Sequence, residues 1–518
     1  MTTRSSQILI IGGGATGLGI AWDACLRGYR VTVVEQGDLG QGTSGRYHGL
    51  LHSGGRYVLS DPDSARDCRR ENEILRRIAP HTIEPTGGFF LTTDHDSTEY
   101  AERWLAACRE IGVPVEEIPP GAALRREPLL TPHLSRAFEV RDAALDSFEL
   151  LHALAGAVQE AGGAVLTRHR VTGLVPHGRG MLARIASLLD ESTFQLEAQI
   201  VVNAAGPYAG VVAAMTGVHL PLALGKGTMI AMASRLTHTV LNRCKPPHDG
   251  DLIVPVGTVC VLGTTDVPVR TPSDLTMEAW EIDLLLAEGQ VLIPSLRRHR
   301  ALRAWAGIRA LYSPPDLSVA GRELPRAHTV LDHETPDGLP GFLTILGGKL
   351  TTFRKMAQDT VDRISTQIPS ARPCSTESTP LPTASRRHYS VGDRLPKMHP
   401  STGHSAEDAV LCECEAIARG ELARALHDAA SSDLDDIRRD LRLGMGPCQG
   451  AFCTYRAAGL ARTLLSNPAP DGGFADFAQE RWRGLRPLAW GRGLRQLEML
   501  RRVQLELLGA EPVKTTPG

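Results

Sequence analysis

The chain has 518 residues, 42% hydrophobic and 22% charged, and a formal net charge of −2. That length implies roughly two to four domains with ordinary globular cores. The near-neutral charge excludes a protein that holds nucleic acid or an anionic membrane surface by bulk electrostatics. Only four apolar residues follow the polar N-terminus before a glycine run, too few for a signal-sequence core. No stretch reaches the roughly 18 to 20 apolar residues of a membrane span, so a cytoplasmic chain is expected, one that lies on a membrane if it meets one.

In chain order, residues 7–11 read as a buried parallel strand, and Gly12-Gly13-Gly14-Ala15-Thr16-Gly17 opens a helix that runs to about Gly28. Residues 30–35 form the next strand and end at Glu35. Helices are expected near 64–79, 97–111 and 147–161, with strands near 87–93 and at 164–168. Residues 198–203 make another buried strand that ends in Ala204-Ala205-Gly206-Pro207. From 221 to 350 short β-rich runs (251–256, 259–264, 341–346) predict a second, more antiparallel domain set against the first. Gly347-Gly348-Lys349 then opens a helix over 351–367. Prolines at 373, 380, 382, 396 and 400 among many Ser and Thr mark 371–405 as a surface linker. Residues 406–458 read as a compact helical cysteine module. The segment 459–518 ends in a helix over about 492–508, with Leu494, Leu497, Leu500, Val503 and Leu507 on one stripe. That stripe reads as a packing face, with an interfacial membrane helix as the alternative.

The glycine run has the full context of a dinucleotide fingerprint: strand, glycines, helix, and an acidic residue ending the next strand. Gly12 makes the tight turn and Gly14 admits a pyrophosphate to the backbone. Gly17 allows close helix–strand packing, and Glu35 meets the ribose hydroxyls. Two distant segments, 203–207 and 347–354, favour an elongated FAD over NAD. The helix opened at Gly347-Gly348-Lys349 suits negative charge on a reduced flavin ring.

Ten cysteines occur. Six (Cys25, Cys68, Cys108, Cys244, Cys260, Cys374) are scattered and read as small core residues. The other four, Cys412, Cys414, Cys448 and Cys453, follow C-x-C-x33-C-x4-C. This is the ligand number and type for [2Fe–2S] or structural zinc, and spacing alone does not separate the two. Gly444, Gly446 and Gly450 leave backbone amides free to reach the sulfurs, and Arg442 is a candidate for charge compensation.

Several segments together carry a family resemblance. Gly42-Thr43-Ser44-Gly45-Arg46, Leu51-His52-Ser53-Gly54-Gly55-Arg56-Tyr57, Gly263-Thr264-Thr265-Asp266, Ala306-Gly307-Ile308-Arg309 and Gly347-Gly348-Lys349-Leu350-Thr351-Thr352-Phe353-Arg354 resemble FAD-dependent glycerol-3-phosphate dehydrogenases. Val410-Leu411-Cys412-Glu413-Cys414-Glu415 and Gly444-Met445-Gly446-Pro447-Cys448-Gln449-Gly450 are similar to the cysteine module in the large catalytic subunit of the anaerobic bacterial enzyme. Glu480-Arg481-Trp482-Arg483-Gly484 extends the likeness nearly to the end.

The resemblance implies an α/β architecture. A Rossmann-type FAD-binding domain with an inserted mixed α+β substrate domain, D-amino-acid-oxidase-like, would span 1–370. The linker 371–405, a bacterioferritin-associated-ferredoxin-like [2Fe–2S] domain over 406–458 and a C-terminal helical segment over 459–518 would follow. The implied reaction is oxidation of sn-glycerol 3-phosphate to dihydroxyacetone phosphate, with hydride passing to FAD and electrons on to quinone. The implied partners are a companion flavoprotein and a membrane-anchoring iron–sulfur protein, which would place the chain on the inner face of the cell membrane. FMN is associated with the complex without being assigned to one of its chains.

Thr43, Ser44, Ala205, Gly206, Gly348, Lys349, Leu350 and Thr351 join the fingerprint residues as implied FAD contacts. Arg56, Tyr57, Arg309, Arg326 and Lys349 are implied substrate contacts, because a phosphate dianion needs two or three cationic donors. The base is sought among His52, His333 and Lys349. A histidine used by one related branch is replaced here by Met229. Two competing readings are a relative acting on amino acids or 2-hydroxy acids and a redox scaffold without catalysis; the several cationic positions argue against the first.

Overall fold

The computed structural model describes residues 3–314, 326–382, 406–428, 433–465 and 473–489, with a few isolated positions besides. The strand Thr3–Ile11 lies inside an eight-stranded sheet. It pairs in parallel with Val31–Val34 on one side (Ile8 opposite Val31) and with Thr193–Asn203 on the other (Ile8 opposite Ile200). Ile8, Leu9 and Ile10 are fully buried because both faces of the sheet are covered, which is why the strand is an unbroken apolar run rather than an alternating one. Ile8 and Ile10 pack with Leu18, Leu150, Leu154 and Phe353 from three helices. Leu9 and Ile11 face a second core with Leu174, Ile185, Leu196 and Val212.

A nine-stranded sheet forms the second layer system. Its spine is the antiparallel pair Leu222–Met232 and Ala301–Tyr312, and it reaches back to Gly88–Thr93 and Leu134–Val140. The β-rich unit expected from the runs in 221–350 differs in two respects. The sheet recruits strands from before residue 141, and Phe342–Leu346 belongs to the first sheet, parallel to Thr193–Asn203. An apolar run specifies a buried strand but not its partner, and these pairings close over long sequence distances.

Helices begin where the sequence supplies caps. Asp61 accepts from the Ser64 N–H at 3.0 Å, and Ser97 from the Tyr100 N–H at 3.2 Å. Asp146 accepts from the N–H groups of Phe148 and Glu149 at 3.0 and 3.2 Å, which starts helix Ser147–Glu160. Its other carboxylate oxygen pairs with Arg442 at 3.0 Å. Asp146→Ala is therefore expected to lose about 1 kcal/mol from the cap alone and to loosen the cysteine module. Chemical denaturation should show the lower midpoint, and Asp146→Asn should restore the cap without the ion pair. A buried ion pair, Arg354 with Glu71 at 2.6 Å, pins helix Phe353–Gln367 to helix Pro62–Ile78.

The cysteine module is a two-strand ladder, Val410–Cys412 with Ile417–Ala418, and helices Arg419–Asp428, Leu434–Leu441 and Cys453–Leu464. The last helix runs beyond residue 458, and helix Phe474–Leu485 adds Phe474 and Phe477 to the same core. The module sits on the flavin-type body through Arg168 with Asp433 (3.1 Å) and Asp436, Arg439 with Asp38 (2.9 Å), and Arg442 with Asp146. Of the expected linker, 371–382 follows the body, and the Leu381 N–H donates to the Ile78 carbonyl at 2.9 Å. Most of 383–405 lies outside the described residues, as do Leu497, Leu500, Val503 and Leu507 of the expected terminal helix.

Candidate active site

One cavity of about 580 Å³ runs from Glu35 past Gly12–Gly14 to His52, Tyr57, Arg309 and Lys349. At its nucleotide end two glycines are fixed by sterics. Gly12 has φ +117°, and a methyl there would fall 2.5 Å from the Ala204 carbonyl oxygen. A methyl on Gly17 would fall 1.9 Å from the Gly12 carbonyl oxygen. The helix Ala15–Leu26 therefore approaches its strand as closely as backbone allows, with its N-terminal turn at the cavity. Glu35 accepts from the Gly13 N–H at 2.7 Å and the Gly37 N–H at 2.8 Å. Burial pushes this carboxyl above its ordinary range, against the pull of those N–H donors. Ser44 Oγ accepts from the Ala15 N–H at 3.0 Å, and Thr43 Oγ1 donates to the Ile308 carbonyl at 2.6 Å.

Of the residues expected to hold FAD, Gly12, Gly14, Glu35, Thr43, Ser44, Ala205, Gly206, Gly348, Lys349, Leu350 and Thr351 all line this cavity; Gly17 lies beneath it. An elongated dinucleotide fits the donors present: glycine backbone and a helix start for the pyrophosphate, a carboxylate for the ribose, and the 347–351 turn for the ring.

At the far end Arg309 donates to Asp266 at 2.7 Å and to the Thr265 carbonyl at 2.9 Å. Arg326 stands 3.8 Å from the same carboxylate. Lys349 Nζ donates to Ser64 Oγ at 2.8 Å and to the Arg326 carbonyl at 3.3 Å, and lies 4.5 Å above the Tyr57 ring. His52 is buried, with its ring 5.3 Å from Tyr57 and 5.9 Å from His48. Burial first, then the charges of His48, Arg56, Lys349 and Arg326, hold His52 well below the ordinary histidine value. His48 is pushed down to about 3 by burial and by Arg56 and Arg309. Two neutral imidazoles thus stand in the field of four cations, Arg56, Arg309, Arg326 and Lys349.

Two expected site residues stand elsewhere. Arg56 does not line the cavity; its guanidinium pairs with the buried Asp251 at 2.7 Å, and only its field reaches the histidines. His333 is also off the cavity and has both ring nitrogens engaged, one 2.7 Å from Asp337 and the other 2.9 Å from Thr344 Oγ1, with its ring stacked on Phe342. His333→Asn is expected to lower stability by about 1 kcal/mol and leave kcat unchanged, as parallel unfolding and turnover measurements would show. His48, Ser64 and Asp266 went unassigned in the sequence. Asp266 stood inside a quoted motif, and His48 falls between two of them, so the signal for both was adjacent.

The four expected metal ligands come together. Cys453 is close to Cys412 and Cys448, and Cys414 is close to Cys448. Backbone N–H groups of Gly444 and Glu415 reach Cys412, and those of Gly450 and Ala451 reach Cys448. Hydrogen bonding with Cys453 is the main cause that lowers Cys412 to about 7 and Cys448 to about 5, while burial pushes Cys414 up to about 11. No group of three or more His, Cys, Asp or Glu side chains among the described residues is preset at metal-holding separations. The donor set itself, four thiols ringed by backbone N–H groups, fits a thiolate-bound centre. Arg442 is not a neighbour of the sulfurs in the expected sense: its guanidinium is taken by Glu415 (3.1 Å) and Asp146.

A family model described as FAD dependent oxidoreductase matches residues 7–354. The chain is 39% identical over 533 aligned positions to one subunit of the anaerobic glycerol-3-phosphate dehydrogenase of Escherichia coli (strain K12), covering 98% of each chain. It is 40% identical to the like-named subunit of the anaerobic glycerol-3-phosphate dehydrogenase of Haloferax volcanii, over 95% of this chain and 89% of that one. Among solved structures, glycerol-3-phosphate dehydrogenase from Bacillus halodurans complexed with FAD shares the fold, with a TM-score of 0.64 at 20% identity over 99% of this chain and 97% of that one. The chain belongs to the FAD-dependent oxidoreductase family and, within it, to the subunit type that these two anaerobic glycerol-3-phosphate dehydrogenases share.

Proposed function

We propose that the chain oxidises sn-glycerol 3-phosphate to dihydroxyacetone phosphate and passes the electrons on through the four-cysteine site. The observation that carries this reading is the cavity itself, with a dinucleotide cradle at one end and Arg309, Arg326, Lys349 and Tyr57 beside a neutral histidine at the other. Bound FAD supplies the hydride acceptor. Arg309, Arg326 and Lys349 hold the phosphate dianion, the arginines by their planar forks. His52 is the first choice for accepting the hydroxyl proton, and Lys349 stabilises charge developing on that oxygen.

Because His52 is kept neutral, kcat/KM should show no acid limb at the ordinary histidine value of 6.5. The unfolded chain binds that proton and the folded chain does not, so stability is full above 6.5 and falls as pH drops below it. Rate and unfolding profiles across pH check both signs.

Cys412, Cys414, Cys448 and Cys453 would hold [2Fe–2S], a one-electron relay. Both relatives are named as one lettered member of a larger enzyme, which supports companion chains for this one. These would be a second flavoprotein and an iron–sulfur membrane anchor that leads to quinone, with FMN somewhere within the complex. Such an anchor would hold this chain peripherally on the inner membrane face. Among the described residues no helix is long and apolar enough to cross a membrane. The decisive experiment adds glycerol 3-phosphate anaerobically to the purified FAD-loaded chain. Bleaching of the flavin band is expected; a bound flavin that stays oxidised overturns the reading.

A further inference from the structure

Helix Phe474–Leu485 carries Arg481 into the core of the cysteine module. The residue is 6% exposed, and its Nε, Nη1 and Nη2 have no hydrogen-bond partner among the described residues. Its guanidinium lies 5.2 Å from the Phe477 ring. One terminal nitrogen is 3.4 Å from the point where a side chain on Gly444 would begin. Gly444 is the residue whose N–H reaches Cys412, and Phe477 is in turn packed against both Gly444 and Gly450 of the cysteine loop. The charged neighbours make the isolation worse. Arg303 and Arg438 are within electrostatic reach, Asp435 is the one carboxylate among the principal influences, and the remaining influence is Cys453. Asp435 is already bound by Arg438 and Arg439, and Glu480 by Arg303.

A guanidinium does not shed its proton in a protein, and a buried charge without a partner is strongly unfavourable. The Phe477 ring beside it belongs to an apolar core with Leu443 and Phe474. What this pocket lacks is negative charge on the side of the cysteine loop. Two ferric ions, two sulfides and four thiolates carry a formal charge of about −2, and one electron adds another.

We propose that Arg481 is the counter-charge of the four-cysteine centre, a positioning residue that ligates nothing and sets how readily the centre forms and accepts an electron. This rests on reading the four cysteines as an iron–sulfur site. It also gives helix Phe474–Leu485 a role beyond packing. Glu480 ties the helix to Arg303 on strand Ala301–Tyr312, the strand that carries Arg309 at the active-site cavity.

The test compares full-length wild type, Arg481→Leu, Arg481→Gln and Arg481→Lys, purified anaerobically, by iron, sulfide, zinc and FAD content and by an EPR-monitored redox titration. Arg481→Lys should keep wild-type iron per FAD. Arg481→Leu should retain under half of it, or hold the centre with its reduction equilibrium shifted at least tenfold toward the oxidised form, which is about 59 mV for a one-electron couple. Arg481→Gln answers the same question if the leucine variant also loses FAD. Neutral variants with unchanged iron and an unchanged equilibrium overturn the counter-charge while the cluster stands. Wild type that binds FAD but no iron overturns the cluster reading itself.

Discussion

Arg309→Ala should raise KM for glycerol 3-phosphate about a hundredfold while FAD remains bound. Truncating one member of a buried, hydrogen-bonded charge set typically loses 2–5 kcal/mol, and about 3 kcal/mol corresponds to that factor. Arg309 sits on strand Ala301–Tyr312 opposite Gly225, so its backbone is held by the sheet whatever its side chain. Its guanidinium is oriented by Asp266 and the Thr265 carbonyl, which leaves the rest of the fork for a ligand in the cavity. Arg309→Lys should recover only part of the loss, because an ammonium is a point charge without the bidentate geometry. Steady-state kinetics with flavin absorbance read both effects. Loss of FAD with KM unchanged would make the residue structural.

Gly17→Ala should abolish FAD retention, with flavin content reduced more than tenfold and stability lowered by about 2–3 kcal/mol. The added methyl would lie 1.9 Å from the Gly12 carbonyl oxygen, which is a backbone atom and has no rotamer to escape into. Relief requires the helix to back away from its strand or the Gly12 turn to open. That turn is itself held at φ +117° against the Ala204 carbonyl. Either movement takes the helix N–H groups away from the pyrophosphate position. Gly156→Ala, in helix Ser147–Glu160 where a methyl meets nothing within 4 Å, is the control and should leave flavin content unchanged. Flavin absorbance per protein and chemical denaturation distinguish the two.

The features closest together in the chain were the ones that sequence made legible. The strand–glycine–helix–Glu35 unit spans fewer than about 30 residues, and its sterics follow from residue type and spacing, so Gly12, Gly14, Gly17 and Glu35 needed no fold to be named. The four cysteines are equally plain as ligand types. His333 shows the limit. In the sequence it stands second to His52 as a base, and in the fold Asp337 and Thr344 take both its nitrogens. Arg56 is likewise paired with Asp251, 195 residues away, a partner that its own motif does not reveal. Arg481 is visible inside a motif, but nothing local indicates that its guanidinium is buried without a hydrogen-bond partner among the described residues.

By itself the sequence determined the chemistry on offer: a dinucleotide cradle, a set of arginines and one lysine, and four thiols. Those depend on residue identity and short spacing, which are local properties of the chain. Tertiary structure decided which of these groups are free to act. It gathered Arg309, Arg326 and Lys349 at one end of the cavity and kept His52 neutral there. It paired Arg56 with Asp251 and His333 with Asp337, and it set Arg481, with no hydrogen-bond partner among the described residues, beside the cysteine loop. Pairing and desolvation are energies between groups far apart in sequence, and they take values only when the chain is folded.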